Sequence, residues 1–280
     1  MKKIFIILPL FLVALVSCEQ DANVDIPETD PQLAITCFIT PQDSFIRASV
    51  TRSNPVFGSS TNVTGDPVTN ATVILYGNSS SVTLIYNSSS QLYEIPVSVF
   101  PIVGGSEYRL VITEPGGLHA EAHTTVPSTP PASFQCTAQD TFFSNDPIYQ
   151  EGEVRFDYSF SDPAGQADFY RFITYNVLLY PWSGDTVVQR GGWSHFTDAN
   201  ADGTVISNHH TTGFYTSGDS LIGYEVWMMH ANYDYYTFHQ SLYNYSDGDP
   251  FSEPTMIYSN ITDGLGIFAA ANSVHMRIPR

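Results

Sequence analysis

"ATVILYGNSSSVTLIYNSSSQLYEIPV", residues 71–97, carries the reading on which the fold class turns. Three β-branched and aromatic runs are cut apart by Asn, Ser and Gly, the composition and punctuation of short strands joined by turns. Reading outward, the same cadence gives "LAITCFI" (33–39), "FIRASVTR" (45–52), "EYRLVIT" (107–113) and "HAEAHTTV" (119–126). Seven such segments predict a β-sandwich of immunoglobulin-like size over residues 33–127.

"PSTPPASF" (127–134) follows, and its prolines predict an extended, stiff connector at 128–133. Residues 134–280 read as a second β-rich domain, with "EVRFDYSF", "FYRFITYNVLLY", "TVISNHHTT" and "SLIGYEVWMMH" as its clearest strands. "YDYYTFHQSLYNYS" (233–246) breaks the rhythm. Tyr235, Phe238, Leu242 and Tyr245 fall on one helical face, Asp234 sits in the first turn, and "SDGDP" ends the run. The expected fold is mostly β with one short helix packed on a sheet.

The N-terminus addresses the chain. Lys2 and Lys3 precede an apolar run, Ile4–Val16, shorter than the ~20 residues that span a bilayer. "LVSC" has the form of a bacterial lipobox, so residues 1–17 read as a lipoprotein signal peptide and Cys18 as the acylated residue. Residues 18–32, acidic and poor in large apolar side chains, read as a tether.

Processing removes both lysines and leaves eight arginines against 28 acids, a net charge of −20 (8 − 28). Such a surface offers no basic patch for phosphates, which excludes nucleic acid as a partner. Cys37 and Cys136 remain in a disulfide-permissive compartment, where they could bridge the two domains or stay as separate buried thiols.

No G-x-S-x-G elbow, H-E-x-x-H helix motif or Cys/His zinc spacing occurs, and no catalytic residues are assigned. "DANADG" places Asp198, Asn200 and Asp202 at the spacing that opens a calcium loop. Position twelve, however, is His209, a poor ligand for a hard cation, so a polar hairpin turn is the preferred reading. His209 and His210, adjacent on a strand, should face opposite ways. Tyr180, Trp182 and Trp193, in loops rich in Pro and Gly, are the candidate contacts for a glycan or peptide ligand.

The segment "PFSEPTMIYSNITDGLGIF" is similar to the C-terminal hallmark of a Bacteroidota-type outer-membrane lipoprotein family known as a domain of unknown function. Pro250, Ser252, Pro254, Tyr258, Ser259, Asn260, Ile261, Gly264, Leu265, Gly266 and Phe268 match; Asp263 stands where glycine is common. The first domain resembles sandwiches related to carboxypeptidase regulatory domains. The acidic residues after Cys18 resemble a surface-export signal, and "DTV" and "DSL" resemble O-glycosylation acceptors at Thr186 and Ser220. The resemblance implies a lipid-anchored, surface-exposed accessory to a TonB-dependent receptor and no enzyme. An independent glycan or peptide binder and a structural or adhesion protein are the alternatives. Glycines 264 and 266 are expected to allow close backbone approach in a final hairpin.

Overall fold

The computed structural model describes residues 30–54, 65–144, 146, 149–245 and 256–280. The segments read as signal peptide (1–17) and tether (18–32), Cys18 included, lie outside these apart from residues 30–32, as do Pro250, Ser252 and Pro254.

The first half comprises β1 (Leu33–Ile39), β2 (Phe45–Arg52), β3 (Thr72–Gly77), β4 (Ser80–Asn87), β5 (Leu92–Pro96), β6 (Glu107–Thr113) and β7 (His119–Thr125). Alternation does the building: Leu33, Ile35, Cys37 and Ile39 turn inward along β1, as do Tyr108, Leu110 and Ile112 along β6. The strands run in the order β1-β2-β5-β4-β3-β6-β7, all antiparallel. β4 turns the corner, pairing β3 through Ser80–Leu84 and β5 through Ile85–Asn87. That change of partner folds the sheet onto itself as a sandwich.

The second half comprises β8 (Ala132–Phe142), β9 (Tyr149–Ser161), β10 (Phe169–Leu179), β11 (Thr186–Thr197), β12 (Val205–Ser217), β13 (Ser220–Ala231), α1 (Tyr233–Asn244) and β14 (Gly264–Pro279). Strands β12-β9-β8 form one sheet, and β11-β10-β13-β14 continue the first half's sheet through β1. Val154, Phe156 and Phe160 meet Tyr170, Phe172, Tyr224 and Met228 between the two layers. The opposite face of β10 and β13 carries α1, capped by Asn232, whose Oδ1 accepts from Tyr235 N at 3.0 Å.

β14 is common to both halves. Residues 264–270 pair with β1 in parallel, and 271–279 pair with β13 in antiparallel. Phe268 and Ala270 belong to the first core, while Ile267, Ala269 and Ala271 face the helix. Gly266, at φ +105°, is forced: a Cβ there would lie 1.9 Å from the Ile35 carbonyl oxygen.

Four expectations need correction. The C-terminal glycines begin one 16-residue strand, not a hairpin, because β14 finds a different partner on each side. Trp193 lies in β11, not in a loop: of its glycine neighbours, Gly191 lets the strand close on Thr174 of β10 and Gly192 lets it pack against β12. Cys37 and Cys136 form no disulfide; Cys37 is sealed in the first core and Cys136 packs against the second, and burial pushes both thiols up to about 12. On α1 only Tyr235 and Phe238 are buried; Leu242 is exposed, and the helix ends before Tyr245. The proline-rich connector is also pinned, since Pro127 O accepts from Asn272 Nδ2 at 3.0 Å and His230 Nδ1 lies 3.1 Å from Thr129 O.

Two outcomes follow. Gly266→Ala should destabilise by about 3 kcal/mol or more, read as a large fall in the urea midpoint, because both the backbone angle and the β1 contact forbid a side chain. His239 is stacked on Phe38 at 5.3 Å and edge-on to Tyr235 at 4.4 Å, and burial, then the charge of Arg171, depress it to about 3. The unfolded chain, with the ordinary value near 6.5, takes up that proton first. Stability is therefore complete above pH 6.5 and declines as pH falls, and His239→Phe should flatten the slope of the midpoint between pH 6.5 and 5.

Candidate ligand-contact surfaces

Two of the three candidate aromatics, Tyr180 and Trp182, share the β10–β11 hairpin, at the end of β14 opposite Leu33. The β10–β11 hairpin closes through Tyr180 N to Asp185 O at 2.9 Å and Gly184 N to Tyr180 O at 2.8 Å, with Gly184 at φ +76°. This turn holds Trp182 out, 69% exposed, its ring centroid 5.4 Å from that of Tyr180. The next hairpin supports it: a Cβ on Gly218 would sit 3.3 Å from the Trp182 ring. Asp219 Oδ1 accepts from Ser217 N at 2.8 Å and shapes that support.

Other large apolar side chains are exposed nearby. Tyr215 opposes Glu151, Tyr149 opposes Ser217, and Phe143 N bonds Glu151 O, which brings all three rings to this end of the three-stranded sheet. Thr186 and Ser220 oppose Leu179 from its two sides, so both acceptor positions share one register row and both are exposed. Trp193 lies elsewhere, under the end of α1 and edge-on to Tyr243 at 5.6 Å.

The "DANADG" stretch is a pair of turns, Ala201 N to Asp198 O at 2.6 Å and Thr204 N to Ala201 O at 3.0 Å. Asp198 and Asp202 do converge, and a third carboxylate that sequence reasoning missed, Asp162, joins them within 4.8 Å. Asn200 is exposed in the same loop. Each carboxylate is engaged by a backbone amide: Asp162 by Gly203, Asp198 by Asp168 and Asp202 by Gly165, at 2.8, 3.0 and 2.8 Å. Tyr170 Oη also donates to Asp162 at 2.5 Å. The three amide bonds brace one loop against another across 30 to 41 residues of chain, which no spacing rule could register. His209 and His210 face opposite ways as expected, His209 toward solvent and His210 toward β11.

The two clusters should answer differently to mutation. Trp182→Ala should change unfolding free energy by less than about 0.5 kcal/mol, since the ring is solvent-exposed. Asp162→Ala should cost about 2 kcal/mol, since it strands a buried hydroxyl and a loop amide. Urea denaturation of the two variants checks both.

Among the described residues no helix is long and apolar enough to cross a membrane. No curated protein matches the chain. Among solved structures, the C-terminal globular domain of an oligosaccharyltransferase from Pyrococcus abyssi aligns at 13% identity over 89% of this chain and 47% of its own, with a TM-score of 0.16. The chain thus spans about half the length of that protein, and a likeness so slight shows no shared fold. A family model described as a domain of unknown function, DUF4249, matches residues 19–277. With the match running through both cores and nearly all of β14, the chain belongs to that family.

Proposed function

We propose that the protein is a lipid-anchored outer-membrane lipoprotein of Bacteroidota type that assists a TonB-dependent receptor in capturing ligand, with a binding role rather than a catalytic one. One observation carries this reading: the anchor end and the exposed aromatic end lie at opposite ends of β14. Leu33, where the tether enters the fold, pairs with Gly264, while Gly223, next to the Trp182 end, pairs with Pro279. Fifteen residue steps of strand separate them, about 50 Å of contour. Acyl chains on Cys18 would hold the first end at the bilayer, with several chains needed for a stable anchor. Trp182, Tyr180, Tyr149 and Tyr215 would then stand away from the lipid, where amphipathic rings suit a protein or sugar surface.

The pinned connector supports the same reading, because a rigid body holds its contact surface at a set height. The charge of −20 favours a partner or ligand that is neutral or cationic at the contact. The Tyr180–Trp182 ring pair, with its indole exposed, also fits the second reading, an independent glycan binder.

The test is a mild-detergent pull-down of the tagged, lipidated protein from its own envelope, beside Trp182→Ala. A stoichiometric TonB-dependent receptor with the parent chain, and several-fold less with the variant, is the expected result. Recovery of the lipoprotein alone, under conditions that preserve other envelope complexes, would rule out a stable partnership and leave the glycan reading.

A further inference from the structure

The eight arginines divide into two groups. Arg47, Arg52, Arg109, Arg155 and Arg280 each pair with a carboxylate. Arg171, Arg190 and Arg277 pair with none among the described residues, in a chain with 28 acids. Those three stand on one face of one sheet. Residues directly opposite each other in neighbouring strands point to the same side. Arg171 opposes His195 and Met229, Arg190 opposes Tyr175, and Arg277 opposes Glu225. Met229, Tyr175, Trp193 and Trp227 all belong to the cluster around α1, so the shared side is the helix side of β11-β10-β13-β14.

Two rows cross the four strands there. One runs Arg190, Tyr175, Glu225, Arg277 from β11 to β14, and the next runs Trp193, Ile173, Trp227, His275. Nearer the start of β10, α1 covers the sheet by packing Tyr235 and Phe238 against Met229, Ala269 and Ala271. Arg171 is sealed under it, 6% exposed, its Nη1 donating to Tyr235 Oη at 3.2 Å. Past the helix the face opens. Arg190, His275 and Arg277 are exposed, and Tyr175, Glu225 and Trp227 are half-buried. Trp227 stacks on His275 at 4.7 Å, a ring pair beside the two open guanidinium groups.

Charge here runs against the rest of the molecule. A net charge of −20 repels anions from most of the surface. Among the described residues of these four strands, Glu225 is the one carboxylate on this side. Unpaired guanidinium groups keep all their donors for a ligand.

The spacing narrows what that ligand is. Arg190 and Arg277 stand three strands apart, about 14 Å at the usual strand separation, too far for one carboxylate to bridge. The ligand therefore carries several charges along its length. A peptide strand finds no purchase, because β10 and β13 have neighbours on both sides and their backbone groups are already paired. What the face offers instead is ring surface between guanidinium forks. Sugar acids match it, with apolar ring faces for the aromatics and anionic groups for the arginines.

We propose that this face binds an acidic polysaccharide laid across the strands. Its anionic groups meet Arg190 and Arg277, and its sugar rings lie over Tyr175 and Trp227. Uronate carboxylates and sulfate esters share this chemistry. The site is separate from the Trp182 hairpin and does not rest on the receptor reading.

The full-length chain in mild detergent would be titrated by calorimetry with polygalacturonate, dextran sulfate, neutral dextran and poly-L-glutamate. Saturable binding of an acidic polysaccharide and none of dextran is expected; the tighter of the two acidic chains identifies the anion as carboxylate or sulfate ester. The double variant Arg190→Gln with Arg277→Gln should bind at least tenfold more weakly at unchanged Tm, since both side chains are exposed and unpaired. Glu225→Gln should bind several-fold more tightly, because it removes the one opposing charge. Arg155→Gln, which deletes a paired arginine from the other sheet, should bind as the parent does. Silence toward both acidic polysaccharides, equal binding of dextran, or poly-L-glutamate bound as tightly would overturn the proposal. So would undiminished affinity in the folded double variant, or an equal loss in Arg155→Gln. Binding is read on the chain alone, so failure here leaves the receptor partnership to its own pull-down.

Discussion

Everything in this fold depends on satisfying the backbone of β14. A strand buried in the middle of a sheet needs partners along both edges, yet β14 has a full-length neighbour on neither. β1 lies along its first seven residues and β13 along its last nine. Side chains fill the gaps. Asn260 pairs with both the N–H and the carbonyl of Phe268, at 2.9 and 2.8 Å, in place of a neighbouring strand. Asn232 offers its backbone N–H to Ala270 O and its Oδ1 to Ala270 N just where β13 ends. Beyond β1, Gln42 Oε1 accepts from Ser273 N.

This arrangement explains the C-terminal motif in physical terms. In "IYSNITDGLGIF", Asn260 imitates a strand, Ile261 enters the first core, Gly264 and Gly266 let β14 touch the carbonyls of β1, and Phe268 fills the centre. Asp263, at the position where the resemblance leads one to expect glycine, adopts φ +57°, a backbone region that glycine enters without strain. Over its described residues the motif is architecture. Because β14 runs through both halves, Leu33 and the Trp182 hairpin stand at opposite ends of it, and Arg171 is trapped under a helix that the same strand supports.

The division of the acids follows from the same rigidity. Asp162, Asp198 and Asp202 brace loops, and Asp168 is buried 2.9 Å from His230 in the region of the connector. Burial pushes the Asp168 carboxyl up while His230 pulls it back. These groups draw their roles from neighbours far along the chain.

By itself the sequence determined the class, because alternation of β-branched and aromatic residues is a local property, and β1, β2 and β6 stand where their runs begin and end. The position of α1 was legible for the same reason, through its period and its breaker. The three candidate aromatics were legible as residue types, but not as neighbours: Tyr180 and Trp182 share one hairpin, and Trp193 belongs to a strand that glycines disguised as a loop. Only tertiary structure decided that β14 is shared, that Cys37 and Cys136 lie in different cores, that Asp162 completes the acidic trio, and that Arg171 lies beneath the helix with no carboxylate beside it. Each of these rests on contacts between residues distant along the chain, set by strand register and layer packing, and a linear pattern holds no record of them.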